Sequence, residues 1–119
     1  MTKGDDIRAK LMQFASDAVD LCEMLPKTTA GTHVGAQLLR CATSAAPNYA
    51  EARGAESRKD FLHKLRIVLK ELNEAEVWLE LILRRRMVGG ERVAGILSEC
   101  QSLCKIIGAS VGTARRNEP

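Results

Sequence analysis

The sequence predicts an all-α protein, specifically an antiparallel up-down-up-down four-helix bundle, and three observations carry that prediction. Aromatic residues number only four (Phe14, Tyr49, Phe61 and Trp78) and β-branched clusters are few, so the residues that favour strands are scarce. Ala, Leu, Glu, Lys and Arg abound instead, side chains that lose little on entering a helix. Apolar residues recur at steps of three and four within four segments separated by Pro or Gly.

The 119 residues suit one domain spanning 1–119. Hydrophobic residues make up 45% and charged residues 28%, too apolar a balance for disorder. The 18 Lys and Arg against 15 Asp and Glu leave +3, which excludes a strongly basic nucleic-acid protein. No stretch approaches the roughly 20 unbroken apolar residues of a membrane span, and the Asp-containing N-terminus is no signal peptide. A cytoplasmic location without a membrane partner is the expectation.

The first helix is expected from about Asp5 to Met24. Ile7, Leu11, Phe14, Ala18, Leu21 and Leu25 step alternately by four and three and form one stripe. Asp5 and Asp6 complement the positive end of the helix dipole, and Pro26 stops the helix. After a loop Lys27 to Gly31, the second helix is expected over about 32–55, with Thr32 as N-cap. The third is expected over about 57–87, roughly 45 Å long at 1.5 Å per residue. Ser57 and Asp60 resemble a capping box with a shorter acid. The seam of this helix reads Phe61, Leu65, Val68, Leu72, Ala75, Leu79 and Ile82, and Gly89 and Gly90 end it. The fourth helix is expected over about 91–113, with Val93, Leu97, Cys100, Cys104, Ile107 and Val111 in heptad steps, fraying from Arg115 to Pro119.

The second helix stands apart, because between Lys27 and Glu51 only Arg40 carries a full charge, His33 aside. Val34, Leu38, Cys41, Ala45 and Tyr49 form one apolar face; Leu39, Ala42, Ala46 and Ala50 form another, made almost wholly of small side chains. A narrow polar stripe of Gln37, Arg40, Ser44, Asn48 and Glu51 lies between them. Two apolar faces need two partners, and the second could be a neighbouring subunit. On the third helix Ile67, Trp78 and Leu81 cluster away from the seam, and a large aromatic there is a typical interface anchor. Leu39, Ala42, Ala46, Ile67, Trp78 and Leu81 are therefore the candidate oligomer surface, with Trp78 as a shoulder of the chain's own core as the alternative. Pro47 should kink or interrupt the second helix by freeing the carbonyl of Thr43. Ser44 and Asn48 are placed to satisfy that backbone, or else to bind a small ligand.

No catalytic or metal constellation emerges, and neither an enzyme nor a cofactor is expected. Asp60 and His63 are the single acid-x-x-His match, short of a di-iron set. The cysteines Cys22, Cys41, Cys100 and Cys104 fall on or beside apolar stripes and read as buried reduced thiols. Glu71, Glu74, Glu76 and Glu80 spread around their helix, with Lys70–Glu74 a candidate i,i+4 pair. From Ala52 to Lys70 six basic residues face two acidic ones, and Arg84, Arg85 and Arg86 follow the acidic stretch. Repeated around a ring, Arg53, Arg58, Lys59, Arg84, Arg85 and Arg86 could contact phosphates of RNA or another nucleic acid.

The stretch Leu25 to Leu83 resembles a bacterial four-helix bundle family whose founding members are encoded in intervening sequences of 23S ribosomal RNA genes. Leu25-Pro26-Lys27, Gln37 to Arg40, Ser44, Asn48, Ala50-Glu51, Ser57, Asp60-Phe61, Lys64-Leu65, Glu71, Glu74 and Leu79 carry the likeness. The resemblance implies an antiparallel four-helix bundle and a homopentameric ring, with no catalytic residues. It extends in fold to the accessory protein of diversity-generating retroelements, a basic pentamer that binds nucleic acid and its reverse transcriptase. This chain departs from that branch in being only mildly basic. It also departs from many family members in carrying Ala45 for a larger aliphatic residue and Ala52 for Gly.

Overall fold

The computed structural model describes residues 2–117. The helices are α1 (Lys3–Met24), α2 (Thr29–Arg53), α3 (Arg58–Arg84) and α4 (Gly90–Arg116). Thr2 opens α1 with a reciprocal capping box: its hydroxyl accepts from the Asp5 N–H at 3.1 Å, and its own N–H donates to the Asp5 carboxylate at 3.2 Å. Leu25 leaves in an extended conformation, as suits a residue preceding Pro26.

The second helix begins earlier than the sequence suggested. Thr28, not Thr32, is the N-cap, and its hydroxyl accepts from the Gly31 N–H at 3.0 Å. Gly31 explains the sharp entry: a Cβ there would stand 2.0 Å from the Pro26 carbonyl oxygen. With only a hydrogen at that position, the chain turns from Pro26 straight into α2 and no five-residue loop is needed.

Pro47 does not interrupt α2, which runs unbroken from Thr29 to Arg53. Pro47 is exposed, so the disturbed hydrogen bonding lies on the outer side of the helix and not in the core. The Ser44 hydroxyl donates to the Cys41 carbonyl at 3.3 Å and the Asn48 amide to the Ser44 carbonyl at 2.8 Å. Both side chains thus bond back onto their own helix, on carbonyls neighbouring that of Thr43 and not on Thr43 itself.

Ser57 caps α3 by accepting from the Asp60 N–H at 3.1 Å. This helix ends at Arg84, short of the expected Met87. Arg86 takes a left-handed backbone with φ of 52°, and Met87 N–H donates to the Ile82 carbonyl while Arg86 N–H donates to that of Leu83. These two bonds make the Schellman closure, here with Arg where Gly is the common choice. In the other direction α4 outlasts its expected end, remaining helical to Arg116. The expected fraying of Arg115 and Arg116 is therefore not seen, and that of Glu118 and Pro119 lies outside the described residues.

Cross-links between helix ends fix the topology. Arg53 near the end of α2 pairs with Asp5 at the start of α1, and Lys64 early in α3 pairs with Glu51 late in α2. Arg58 at the start of α3 donates to the Asn117 carbonyl just past α4, and Arg92 at the start of α4 pairs with Asp20 late in α1. Each pairing joins the start of one helix to the end of its neighbour, so neighbouring helices run in opposite directions. Packing follows chain order and closes through α1 and α4, with α2–α3 the broadest contact and α1–α4 the thinnest. The result is a rod 49 Å long and 25 by 20 Å across.

The core is apolar: among the described residues its only polar side-chain groups are the Tyr49 hydroxyl and the thiols of Cys41 and Cys100, and no charged side chain is buried. All six expected α1 positions, and all five of the first α2 face, are buried. The α3 seam holds except at its first turn, where Leu62 is buried and Phe61 only partly so. On α4 the inward row is Val93, Ile96, Cys100, Leu103 and Ile107, while Leu97, Cys104 and Val111 are half-buried on its shoulder. Both rows are apolar, and the thin α1 side leaves room for α4 to roll Ile96 and Leu103 inward. Fully burying each such Leu, Ile or Phe contributes about 1.5–3 kcal/mol.

Gly31→Ala is expected to destabilise the protein by about 1–3 kcal/mol through overpacking against the Pro26 carbonyl. Urea unfolding measures this, and an unchanged midpoint would show that the α2 entry is not tight.

Candidate functional site

The polar stripe of α2 turns towards α3, where it meets the carboxylates of that helix. Arg40 Nη1 donates to Glu71 Oε2 at 3.2 Å, and Nη2 donates to Glu74 Oε2 and to Gln37 Oε1 at 3.3 Å. Glu74 Oε2 also accepts from Trp78 Nε1 at 3.1 Å. The His33 ring stands edge-on to Trp78, with centroids 5.9 Å apart and planes at 79°. Farther along, Lys64 holds Glu51 at 3.0 Å. Glu74 is thus engaged by Arg40 and Trp78, and the expected Lys70–Glu74 pair is not made. Isolated exposed pairs contribute only about 0–1 kcal/mol each, and the Arg40 side chain is 50% exposed. The arrangement gains from sharing, because one guanidinium fork orders two carboxylates and, through Glu74, the indole.

Of the candidate oligomer surface, the structure closes off Ala42 and Ala46, at 0% and 4% exposure, inside the chain's own core. They are small because neighbouring elements approach α2 closely, so they offer no area to a second copy. Leu39 remains 40% exposed beside the hollow formed by Cys22, Glu23, Pro26 and Gly35, on the flank of α2 next to α1. Ile67, Trp78 and Leu81 are half-buried on α3. Trp78 and Leu81 also pack against the chain's own core, Trp78 beside His33 of α2, which is the shoulder position the alternative reading gave it. The six therefore do not form one patch: Leu39 lies on the α1 side of α2, the other three on α3. Val77, 60% exposed, sits one residue before Trp78 and one helical turn before Leu81, and was missed by the sequence reading. The i,i+4 spacing of Val77 and Leu81 was the signal. Met12 and Val19, exposed at i and i+7 on α1, were missed as well.

The basic candidates separate to the two ends of the rod. Arg53, Arg58 and Lys59 lie where α2 ends and α3 begins; Arg84, Arg85 and Arg86 lie at the other end of α3. The 26 steps between Arg58 and Arg84 span about 39 Å at helical rise. Arg53 is held at 3.0 Å by Asp5, whose carboxyl lies below its ordinary range through hydrogen bonds from Arg53 and then Thr2. The guanidinium of Arg53 passes over Gly4, 2.9 Å from where a Cβ would be. Arg84, Arg85 and Arg86 are exposed and hold no ion pair among the described residues. One chain thus presents two separate basic ends and not a single belt.

The four cysteines are free thiols, each near an acceptor. Cys22 donates to the Gly35 carbonyl at 3.4 Å, Cys41 to that of Leu38 at 3.5 Å and Cys100 to that of Leu72 at 3.3 Å; Cys104 reaches Glu76 at 3.8 Å. Among the described residues no three His, Cys, Asp or Glu side chains are grouped to hold a metal ion. Burial pushes the Cys22 thiol up to about 11 and the Cys41 thiol up to about 12. The nearness of the two thiols to each other raises Cys100, which burial raises further, and lowers Cys104.

These shifts carry a sign. Unfolded thiols ionise near 9.0, whereas folded Cys22 and Cys41 hold their protons to about 11 and about 12. Their contribution to stability is full below pH 9 and is lost as the pH rises through that window. The urea midpoint is therefore expected to fall above pH 9, and less steeply in Cys41→Ala; equal slopes would show that the Cys41 thiol is not held protonated.

No helix among the described residues is long and apolar enough to cross a membrane. The family model for the 23S rRNA-intervening sequence protein matches residues 5–109. A solved structure of a protein of unknown function from the S23 ribosomal protein family of Bacteroides thetaiotaomicron VPI-5482 is similar, with a TM-score of 0.85 and 33% identity. The alignment covers 93% of this chain and 99% of that one. Among curated proteins none matches. With four helices in this order and a family match over nearly its whole length, the chain belongs to the 23S rRNA-intervening sequence protein family.

Proposed function

We propose that the protein is a non-enzymatic subunit of a cytoplasmic homo-oligomer, a pentamer in the order its family resemblance implies, and that it acts as an interaction scaffold. The observation that carries this reading is the half-covered shoulder of α3 beside α2, where Trp78 and Leu81 pack against the core on one side only. Ile67, Trp78 and Leu81 are only half covered by the chain itself, and Val77 beside them is 60% exposed. Trp78 is held in place by Glu74 and His33, so it meets a partner as a rigid anchor with little rotamer entropy left to lose. The carboxylates of the same region are engaged by Arg40 and so serve structure, not proton transfer.

Light scattering on the full chain is expected to give a mass near five times 13.0 kDa. Trp78→Ala is expected to move that mass towards one chain. A wild-type mass of 13.0 kDa at high concentration would overturn the reading, and an unmoved mass in the variant would remove Trp78 from the interface.

A second reading, a ring that binds RNA or another nucleic acid, is favoured by the exposed Arg84, Arg85 and Arg86 at one end of every chain. Multiplied by symmetry, this end becomes a charged rim that suits phosphates. Binding of ribosomal RNA fragments is then expected to weaken steeply with salt and to drop in the double variant Arg84→Glu, Arg85→Glu. No binding at low salt would eliminate this reading.

A further inference from the structure

A cleft of about 370 Å³ opens where the start of α1, the start of α3 and the last turns of α4 meet. Its position follows from the packing, since α1 and α4 make the thinnest contact in the bundle. Ile7, Tyr49, Phe61 and Ala114 supply apolar wall, and Lys3 and Arg58 stand among them. The volume lies at the lower end of the range of about 300–1,000 Å³ found for small-molecule sites.

Two features give the cleft a chemical preference. Lys3 and Arg58 each sit in the first turn of a helix and bring two cationic side chains to the cleft. Arg58 uses one Nη1 proton on the Asn117 carbonyl, leaving most of its five N–H donors for another acceptor. The second feature is Tyr49, which is only 5% exposed and forms part of the wall. Its hydroxyl meets no hydrogen-bond partner among the described residues. No fully buried side-chain oxygen of the described residues is left unpaired, so this hydroxyl must open onto the cleft. Burial also pushes the phenol above its ordinary range, which keeps it a neutral donor.

We propose that the cleft binds a small organic monoanion, a carboxylate carrying a compact aromatic or branched apolar body. Lys3 and Arg58 hold the carboxylate, the apolar body lies against Ile7, Phe61 and Ala114, and the Tyr49 hydroxyl donates to an acceptor on the ligand. This site does not rest on the assembly reading, because its walls share no residue with Ile67, Val77, Trp78 and Leu81.

Titration of the full chain with 4-phenylbutyrate, followed by ¹H–¹⁵N NMR, tests it. Saturable shifts are expected at the amides of Gly4, Phe61, Ser110 and Thr113. The uncharged amide of the probe, and inorganic phosphate, are each expected to bind at least about tenfold more weakly. Tyr49→Phe removes an unpartnered hydroxyl, leaves the packing intact, and is expected to weaken binding by about three- to tenfold. Arg58→Gln is expected to weaken it by about tenfold, with a thermal melt of each variant confirming its fold. Shifts that do not saturate or that scatter away from the cleft would overturn the proposal, as would equal binding of the amide or indifference to both substitutions.

Discussion

The constraint on which the rest depends is that α2, nearly devoid of charge, must be covered along both flanks. On one flank it is met by close approach. Gly35 lies where a Cβ would come to 3.2 Å from Leu25 Cδ1, and its carbonyl accepts the Cys22 thiol at 3.4 Å. Gly31 fits under the Pro26 carbonyl, and Ala42, Ala45 and Ala46 add little bulk, so the gain comes from dense contact and not from large side chains. On the other flank the same helix presents its only mid-helix charge, Arg40, which clasps Glu71 and Glu74 of α3. One side of α2 is thus sealed by the absence of side chains and the other by a fork of hydrogen bonds.

This asymmetry shapes the remaining elements. With α2 drawn against both α1 and α3, α1 and α4 are left to close the bundle through a thin contact. There the apolar row of α4 rolls inward at Ile96 and Leu103, and there the cleft beside Tyr49 opens. The half-covered shoulder of α3 beside α2, by contrast, follows from the Arg40 clasp. Glu74 is fixed by Arg40 and in turn holds the indole of Trp78, so an apolar surface is presented in an ordered state beside a polar seam. Interfaces of this kind combine a rigid aromatic with a polar rim.

Much of the fold was legible in the chain. The α1 stripe from Ile7 to Leu25 and the α2 face from Val34 to Tyr49 are buried at every expected position. The boundaries at Thr28 and Arg84 were not legible, for distinct physical reasons. Thr32 and Thr28 are equally good caps in isolation, and only the fit of Gly31 against Pro26 selects Thr28. Gly89 and Gly90 are the residues expected to end a helix, yet Arg86 takes the left-handed turn, with Met87 half-buried against the core. Of the polar stripe, Ser44 and Asn48 bond back onto α2, whereas the partners of Arg40 and Glu51 (Glu71, Glu74 and Lys64) come from α3 and could not be read from one helix.

The sequence by itself determined the number of helices, their order and the apolar stripe that each carries, because periodicity and punctuation are properties of a single helix. Tertiary structure alone decided how far each helix rotates about its axis, and hence whether Leu97 or Ile96 turns inward. It also decided that the second face of α2 divides, with Ala42 and Ala46 inside and Leu39 outside, and that the arginines collect at two ends of a rod and not in one belt. The physical reason is common to these cases. A helical stripe fixes direction only to within the width of its apolar arc, and long charged side chains choose among partners that become neighbours only when four rods are packed together.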